Sequence, residues 1–406
     1  MKRSKIWIVG FLAALSVSAL AGCGSKKKAV DTAAQAEATA VGAATEITET
    51  EKSAGAESAT AEDSGKDEKG TRVIIDHAGN EVELPSEINR IAITTITPLP
   101  SVYCLFDGSA EKLVGISPSS MAAAENSLLA DVIPGLADVP TGFMKGSEVN
   151  IEELLAMEPD VVFYRQGTVD EYEKLSAAGI PAVCFSTTQW GSDSIATFEA
   201  WVKLLGEVLD QEDKAAGIAE YGREVYDMIQ ERLESAENLE KPSVLWLYSY
   251  SDGVIATSGN KHFGEWWANA TGAVNAAHES DGSKVEINME QIYEWDPDKI
   301  YITNFVPYLA EDLYNNAIEG HDWSVVRAVQ EGQVYKCPLG MYRWYPPSSD
   351  TPLMLLWLAK NNHSELFEDI DMEAEMKDYY QRFYDVELTE ENIEKIFNPV
   401  REAAGA

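Results

Sequence analysis

The sequence predicts an α/β protein of two lobes, each with a parallel-type sheet flanked by helices. One long α-helix joins the lobes, and a ligand cleft lies between them. Three observations support this fold class. Apolar strand-like runs alternate with helical stretches from residue 71 onward. The segment 150–160 recurs in similar form at 288–298, and a stretch without strand signals, at about 194–239, separates the two copies.

The first lobe begins with a predicted hairpin over residues 73–84, whose turn lies at 77–80. A helix should begin near Pro100, after the first of several short apolar strands. Such alternation favours a parallel sheet with helices on its faces. The predicted strands of this lobe are 90–94, 113–116, 161–164 and 182–186.

The two repeat copies carry the same helix signals. In each copy an asparagine precedes an apolar periodic stretch and is followed three residues later by Glu or Gln, which predicts a capping box. Pro159 and Pro297 then end the helix, because proline cannot donate the backbone hydrogen bond. The predicted box pairs are Asn150 with Glu153 and Asn288 with Gln291. Capping does not explain Glu152 and Glu290, which occupy the same place in each copy.

The joining helix is predicted over residues 212–236, which hold no proline. Its apolar positions fit one helical face. Strand signals resume at 244–248 and continue into a second lobe. We therefore expect a first lobe at 71–193, a helical linker at 194–240 and a second lobe at 241–406. The apolar positions of the helix are Ile218, Tyr221, Val225, Met228, Ile229 and Leu233.

The N-terminal 22 residues are typical of a targeting segment. Lys2, Arg3 and Lys5 precede an apolar run at 6–20 that is too short to count as a spanning helix. Leu-Ala-Gly-Cys at 20–23 resembles the lipobox of bacterial lipoproteins, where the chain is cut before the cysteine and Cys23 carries the lipid. An ordinary secretory signal with an incidental cysteine is the alternative. Residues 23–70 then form a lipidated, acidic tether that is expected to be disordered.

Composition excludes several classes of protein. A net charge of −37 argues against nucleic acid as a partner, because a duplex needs clustered Lys and Arg. No common catalytic motif is present, so we expect no enzyme. The five histidines form no tight cluster of the kind that a dedicated metal site needs. Cys104, Cys184 and Cys337 are expected to be buried apolar residues, although the sequence leaves a Cys104–Cys184 pairing open.

Several motifs together resemble one family. They are the lipobox, the opening Asp-His-Ala-Gly-Asn-Glu-Val-Glu-Leu-Pro at 76–85, the repeated Asn-x-Glu…Pro-Asp units, Thr-Ser-Gly-Asn at 257–260 and Tyr-Pro-Pro-Ser-Ser-Asp-Thr-Pro-Leu at 345–353. The chain resembles, over residues 71–399, the helical-backbone (class III) substrate-binding lipoproteins of ABC importers for iron chelates, haem and cobalamin.

The resemblance implies a function without chemistry of its own. A monomeric receptor, lipid-anchored outside the cytoplasm, would capture a ferric siderophore or similar iron complex and deliver it to a permease dimer with its ATPase. Haem or a corrinoid such as cobalamin is the alternative ligand, and a surface sensor or scavenger is the alternative role. No resident cofactor is expected. By position in the repeat, Glu152 and Glu290 would dock onto the permease, whereas the alternative is that each only complements its helix dipole.

The cleft should lie where loops leave the carboxyl ends of the strands. Those loops are rich in aromatic residues and contain two arginines, which suits a flat or bulky anionic chelate. His262 lies in such a loop, where it is either an axial ligand of a haem or corrinoid or a plain loop residue. Trp201 and Trp357 are assigned to the core. The candidate ligand-binding residues are Arg165, Trp190, Tyr248, Tyr250, His262, Tyr308, Tyr342, Arg343, Trp344 and Tyr345.

Overall fold

The computed structural model describes residues 70–405. The predicted signal peptide, the lipidation of Cys23 and nearly all of the predicted tether lie outside these residues. Within them the predicted fold class is confirmed, because two parallel sheets flanked by helices form two lobes.

The strands are short, and those predicted for the sheet of the first lobe lie within one residue of their predicted bounds. The predicted strand at 113–116 is reproduced without change. In chain order the strands are β1 Thr71–Ile75, β2 Glu81–Pro85, β3 Ile91–Ile93, β4 Leu113–Ile116, β5 Met144–Lys145, β6 Glu148–Val149, β7 Val161–Arg165, β8 Ala182–Phe185, β9 Ser243–Leu247, β10 Ser249–Ser251, β11 Val254–Ser258, β12 Val274–Asn275, β13 Lys284–Ile287, β14 Lys299–Ile302 and β15 Val334–Lys336.

The helices range from single turns to the long helix that the sequence predicts. That helix, predicted over residues 212–236, is observed at Glu212–Ser235. In chain order the α-helices are α1 Leu99–Asp107, α2 Pro118–Glu125, α3 Leu129–Val132, α4 Ile151–Ala156, α5 Val169–Ala177, α6 Ser194–Leu209, α7 Glu212–Ser235, α8 Phe263–Ala270, α9 Met289–Trp295, α10 Ala310–Tyr314, α11 Arg327–Gln330, α12 Thr351–Asn362, α13 Met372–Tyr384 and α14 Glu390–Phe397.

Each lobe is centred on a four-stranded parallel sheet. The order is β4-β3-β7-β8 in the first lobe and β12-β9-β14-β15 in the second. The central strands are almost wholly buried, as expected for parallel strands covered by helices on both faces. All carboxyl ends within one sheet therefore meet at one edge, where the connecting loops can form a site.

The sequence repeat is also a structural repeat. Strands β7 and β14, which follow the two copies, are each third in their sheets. Asp160 and Asp298 use their carboxylates alike: Asp160 accepts from the backbone N–H groups of Asn89 and Arg90, and Asp298 accepts from Ser243 N–H. Each repeat thus fixes the start of the neighbouring strand in its own sheet.

The capping-box prediction is correct for one copy only. Asn288 accepts from the Gln291 backbone, and the Gln291 side chain accepts in return from the Asn288 backbone. Asn150 accepts from the backbone N–H groups of Glu152 and Glu153. Within residues 70–405 the reciprocal bond from the first copy is absent, because the Asn150 N–H donates to the Phe143 carbonyl at 2.8 Å instead.

The long helix α7 lies against α6, and this pair connects the lobes. Gly206 makes the close approach possible, because a Cβ there would lie 2.5 Å from the Ala215 Cβ. Helix α13, the last but one, packs back on the first lobe, where Tyr384 donates to the Ser101 carbonyl at 2.8 Å. One continuous apolar cluster therefore extends from Ile74 through the linker to Ile396. The domain boundaries themselves stay predictions.

The second lobe holds a feature that the sequence analysis missed. Strands β10, β11 and β13 form a separate antiparallel sheet. The β10–β11 turn is Asp252-Gly253, with φ of 50° and 78°, which is the geometry that a two-residue hairpin turn requires. This hairpin could have been predicted from the Asp-Gly pair in the sequence.

The three cysteines of the described residues are buried, free thiols. Burial raises the pKa of Cys184 and of Cys337 to about 12. Neither thiol therefore ionises near neutral pH, and both behave as small apolar residues.

Asn288→Ala should lower the free energy of unfolding by about 1 kcal/mol, because the first turn of α9 loses its N-cap acceptor. Asn288→Asp keeps an acceptor oxygen at the same place and should remain close to the wild type. Urea unfolding of both variants checks this. An equal loss in the two variants would contradict the capping role.

Candidate ligand-binding cleft

A cavity of about 120 Å³ lies between the lobes. Its walls come from loops at the carboxyl ends of strands in both sheets, together with the start of α8 and the segment before α12. This is the position expected for a ligand site in sheets of this kind. The lining residues are Thr95, Ile96, Thr97, Pro98, Arg165, Thr187, Thr188, Ser192, Trp201, Tyr248, Lys261, His262, Phe263, Phe305, Tyr342, Tyr345, Pro346 and Pro347.

The charged groups of this lining are both cations. Lys261 pairs with Asp281 at 2.8 Å near the surface. Within the described chain the Arg165 guanidinium makes no ion pair or hydrogen bond, and its Nε is buried without a partner. The nearby Glu171 carboxyl is a weak counter-ion, because burial raises its pKa. None of the carboxylates in the described part of the chain lines the cavity.

Aromatic rings form the wall on the second-lobe side. Tyr248 lies 5.4 Å from Phe305 and 5.8 Å from Tyr345, measured between ring centroids. Arg343 is buried behind this wall, with its Cζ 4.8 Å from the Phe305 centroid and 5.6 Å from that of Tyr342. The guanidinium thus supports two lining rings through cation–π contact.

His262 lies in the cavity floor and belongs to a buried polar cluster. Its Nδ1 lies 2.9 Å from Ser258 Oγ and 2.8 Å from the Tyr345 hydroxyl, and those two oxygens lie 2.8 Å apart. The Gly264 N–H donates to both hydroxyls. Burial lowers the pKa of His262 to about 3, so the ring is neutral at physiological pH.

Asp350 fixes the segment that carries Tyr342 and Tyr345. Its carboxylate accepts from the Tyr342 N–H at 2.9 Å and from the Tyr380 hydroxyl at 2.7 Å. The group is fully buried, and burial raises its pKa to about 7. The cleft wall is therefore held by a buried acid whose ionised form is costly.

The structure brings half of the predicted ligand-binding residues to the cavity. The residues that line it are Arg165, Tyr248, His262, Tyr342 and Tyr345.

The other five predicted residues do not reach the cavity, for identifiable reasons. Trp190 packs edge-on against His77 in the first lobe, with 4.9 Å between the two ring centroids. Tyr250 lies on β10, whose hairpin turns it into the second lobe's core, where it contacts Tyr308. Trp344 is buried against Phe397. Arg343, as described above, lies behind the aromatic wall.

Most of the cavity lining from the first lobe was not among the predicted ligand-binding residues. Thr95, Thr97 and Pro98 directly follow β3, and Thr187 follows β8. Both strands were predicted, so the rule that sites form at carboxyl ends could have found these residues. Trp201, assigned to the core, is fully buried and also contributes to the cavity wall.

The two repeat acids lie on matching helices. Glu152 and Glu290 are exposed in the first turns of α4 and α9. Three residues after each acid comes an exposed apolar side chain, Leu155 at 46% and Tyr293 at 39% exposure. Each lobe therefore presents an acid and an apolar residue at the same offset on a short surface helix.

Comparison with known proteins places the fold and cleft in one family. The family model described as periplasmic binding protein matches residues 91–339, and the chain belongs to this family. Its members are class III substrate-binding proteins of ABC transporters, which work outside the cytoplasm with a permease and an ATPase. The homologues are binding proteins rather than enzymes.

Individual relatives cover nearly the whole described chain. A periplasmic solute binding protein from Veillonella parvula is 32% identical, with a TM-score of 0.74, over 83% of this chain and 100% of that one. The molybdate-binding protein MolA of Haemophilus influenzae is 25% identical over 77% of this chain and 91% of its own length. The structure of MolA bound to molybdate has a TM-score of 0.66 at 22% identity, over 78% of this chain and 99% of that one.

Two further observations concern only residues 70–405. None of the helices there is both long and apolar enough to cross a membrane. In the same residues, His, Cys, Asp and Glu side chains form no group of three or more that could hold a metal ion.

Asp350→Asn should become more stable relative to the wild type as pH rises. The folded-state pKa of about 7 lies above the usual aspartate pKa of 3.8, because the carboxyl is buried. The stability contributed by protonated Asp350 is therefore fully present below about pH 4 and is lost as pH rises through 7, by up to about 4 kcal/mol. Asparagine cannot ionise, so the free energy of unfolding of the variant minus that of the wild type should grow between pH 4.5 and 8. Urea unfolding at each pH measures this difference. Asp378→Asn, at an exposed acid of α13, controls for net charge and should show no such trend.

Proposed function

We propose that this chain is the lipid-anchored receptor of an ABC importer and that it captures a small oxyanion, with molybdate as the leading candidate. The observation that carries the proposal is the Arg165 guanidinium, which lines the cleft cavity without a hydrogen bond or ion pair from the described residues and has Glu171 only as a longer-range electrostatic neighbour. A partly buried guanidinium with its Nε–H unsatisfied favours an anion, and a bound ligand supplies one.

The contrast with other arginines strengthens this argument. The chain has a net charge of −37, so acids are abundant. The guanidinium groups of Arg223, Arg232 and Arg401 each pair with a carboxylate. Among the described residues the cavity is lined by Arg165, by Lys261, whose partner Asp281 lies outside the lining, and by no carboxylate, which is a local reversal of the charge of the whole chain. Such a reversal favours an anionic ligand.

The size of the cavity favours a small ligand. Its volume is about 120 Å³, whereas pockets for drug-sized ligands span roughly 300–1,000 Å³. A tetrahedral oxyanion of five heavy atoms fits this space, and a siderophore or haem does not fit without an opening of the cleft. The similarity to a molybdate-binding protein over 91% of its length supports the same choice.

A bulky anionic iron chelate, such as a ferric siderophore, is the second candidate. It is favoured by the aromatic wall and by a neighbouring depression of about 680 Å³, which shares Thr95 and Arg165 with the cavity. Movement of the Arg165 side chain would join the two spaces. The combined volume would suit a siderophore, and haem or a corrinoid would make similar use of the aromatic rings.

Delivery to a permease is supported by the matched surface helices. A helix dipole accounts for one acid at a first turn, but not for acids paired across lobes. Leu155 and Tyr293, at the same offset from Glu152 and Glu290, extend the match to an apolar contact. We propose that these two helices dock one on each permease subunit, as the paired lobes would dock on a dimer. A surface sensor or scavenger would not need this pair.

A titration of the protein with molybdate, a ferric siderophore, haem and cobalamin would identify the ligand class. Trp201 lines the cavity, so tryptophan fluorescence should report binding. Saturable binding of molybdate alone is the expected result. Binding of only the bulky chelates would overturn the oxyanion proposal in favour of the second candidate.

Arg165→Gln should weaken molybdate binding by about 10- to 150-fold, because charge-assisted hydrogen bonds contribute roughly 1.5–3 kcal/mol. Arg382→Gln is the matched control, since that guanidinium lies over Tyr221 and Phe383, away from the cleft. Isothermal titration calorimetry measures both variants. Equal affinities for Arg165→Gln and the wild type would remove the main support for the anion site.

Replacement of Glu152 and Glu290 together by alanine should abolish uptake while ligand affinity stays unchanged. The control replaces Glu153 and Glu294, exposed acids of the same two helices that are not equivalent in the repeat. Cellular uptake and purified-protein affinity are measured for both variants. If uptake persists without the docking pair, the sensor or scavenger role becomes the better interpretation.

A further inference from the structure

We propose that His262 presents a fixed Nε2–H donor to the cavity and that the site thereby selects oxyanions that carry no proton. The inference rests on the proposed function, since it concerns the same cavity and ligand. It assigns to His262 a role as an anion donor, in place of the axial metal ligand or plain loop residue that the sequence analysis considers.

The buried cluster around His262 holds a number of hydrogens that can be counted. Three atoms lie within 2.9 Å of one another: His262 Nδ1, Ser258 Oγ and the Tyr345 hydroxyl oxygen. The two hydroxyls bring two hydrogens, and both residues are fully buried. The Gly264 N–H group also contacts both hydroxyl oxygens, but it is a donor and cannot accept a hydroxyl hydrogen. Each hydroxyl hydrogen must therefore find its acceptor within the group of three atoms.

Only one ring tautomer satisfies this count. With Nδ1 unprotonated, Tyr345 donates to Nδ1 and Ser258 donates to the Tyr345 oxygen, so every hydrogen has an acceptor. With Nδ1 protonated, the group holds three hydrogens and only two acceptor oxygens, and one buried hydroxyl loses its partner. An unpaired buried donor is costly. The neutral ring therefore carries its proton on Nε2.

The Nε2–H group is left for the ligand. Within the described residues Nε2 makes no hydrogen bond, although His262 lines the cavity. Burial lowers the pKa of the ring to about 3, which keeps it neutral, so the donor is the same throughout the physiological range. The same tautomer has no free lone pair at Nε2, which argues against axial ligation of haem iron.

The remaining polar lining is consistent with an acceptor-only ligand. Arg165, Lys261 and the His262 Nε2–H donate and cannot accept. The lining hydroxyls can donate or accept, but Thr95 already donates to Glu171 and accepts from the Arg165 backbone. No carboxylate is present to receive a proton from the ligand. Molybdate, a dianion without protons, meets these conditions, whereas hydrogen phosphate or hydrogen arsenate brings a donor that lacks a strong acceptor.

The selectivity test uses a matched pair of competitors. At pH 8 selenate and hydrogen arsenate are dianions of similar size and shape, and they differ chiefly in one proton. Displacement of bound molybdate from the full-length protein in detergent solution is followed by calorimetry. We expect selenate to compete at least tenfold more strongly than arsenate.

The donor itself is tested by two substitutions and by spectroscopy. His262→Gln can place an amide N–H near the position of Nε2 and should stay within a fewfold of wild-type affinity, whereas His262→Leu should lose tenfold or more. Nitrogen-15 spectra are recorded of protein with labelled histidines. The His262 signals are those that disappear in His262→Gln, and they should show the Nε2–H tautomer. In Tyr345→Phe one hydroxyl hydrogen is gone, the constraint is lifted and both tautomers should be populated.

The possible outcomes separate this inference from the proposed function. Equal competition by the two anions, failure of selenate to compete, or a proton on Nδ1 would overturn the inference while molybdate binding stands. Absence of molybdate binding with the Nε2–H tautomer intact would overturn the proposed function and leave the donor assignment standing.

Discussion

The packing of α7 against α6 and α12 is the constraint on which the rest of the structure depends. This helical layer joins the two lobes through one apolar cluster instead of a pair of loose strands. Because packed interiors resist deformation, the facing sheet edges are held in a nearly fixed relation. The cleft is consequently a property of the folded chain itself, and its side chains are arranged before any ligand arrives, which reduces the ordering cost of binding.

Within this frame, buried polar groups give the cleft its precise shape. Asp350 holds the segment of Tyr342, and Tyr345 in turn belongs to the cluster with Ser258 and His262. Gly264 belongs to the same arrangement, because a Cβ there would lie 2.6 Å from the Ser258 side chain. Each of these contacts specifies one geometry, since an alternative would leave a buried donor or acceptor unpaired. Cavity floor and aromatic wall are thus parts of one hydrogen-bonded unit.

The sequence was informative where local signals and tertiary structure agree. Strand periodicity, the Asn caps and the proline stops located both repeats and the long helix, because those signals act within a few residues. The cleft was only half predictable. Tyr250 and Trp344 are aromatic residues in segments predicted as loops, and nothing local distinguishes a ring that faces a cavity from one that turns into a core. Thr95 and Thr97 line the cavity, although their residue type gives no signal of it. Their position at the edge of the sheet alone brings them there.

The return of α13 to the first lobe has a consequence for how the chain is made. Tyr384 contacts Ser101, a residue 283 positions earlier, so the first lobe's core is completed only by the last part of the chain. During synthesis or threading across a membrane, the first lobe stays without its final covering helix until nearly all residues have emerged. Contacts of such large sequence separation form slowly. A chain that delays its own folding in this way remains extended for longer, which is the condition that export through a narrow channel requires.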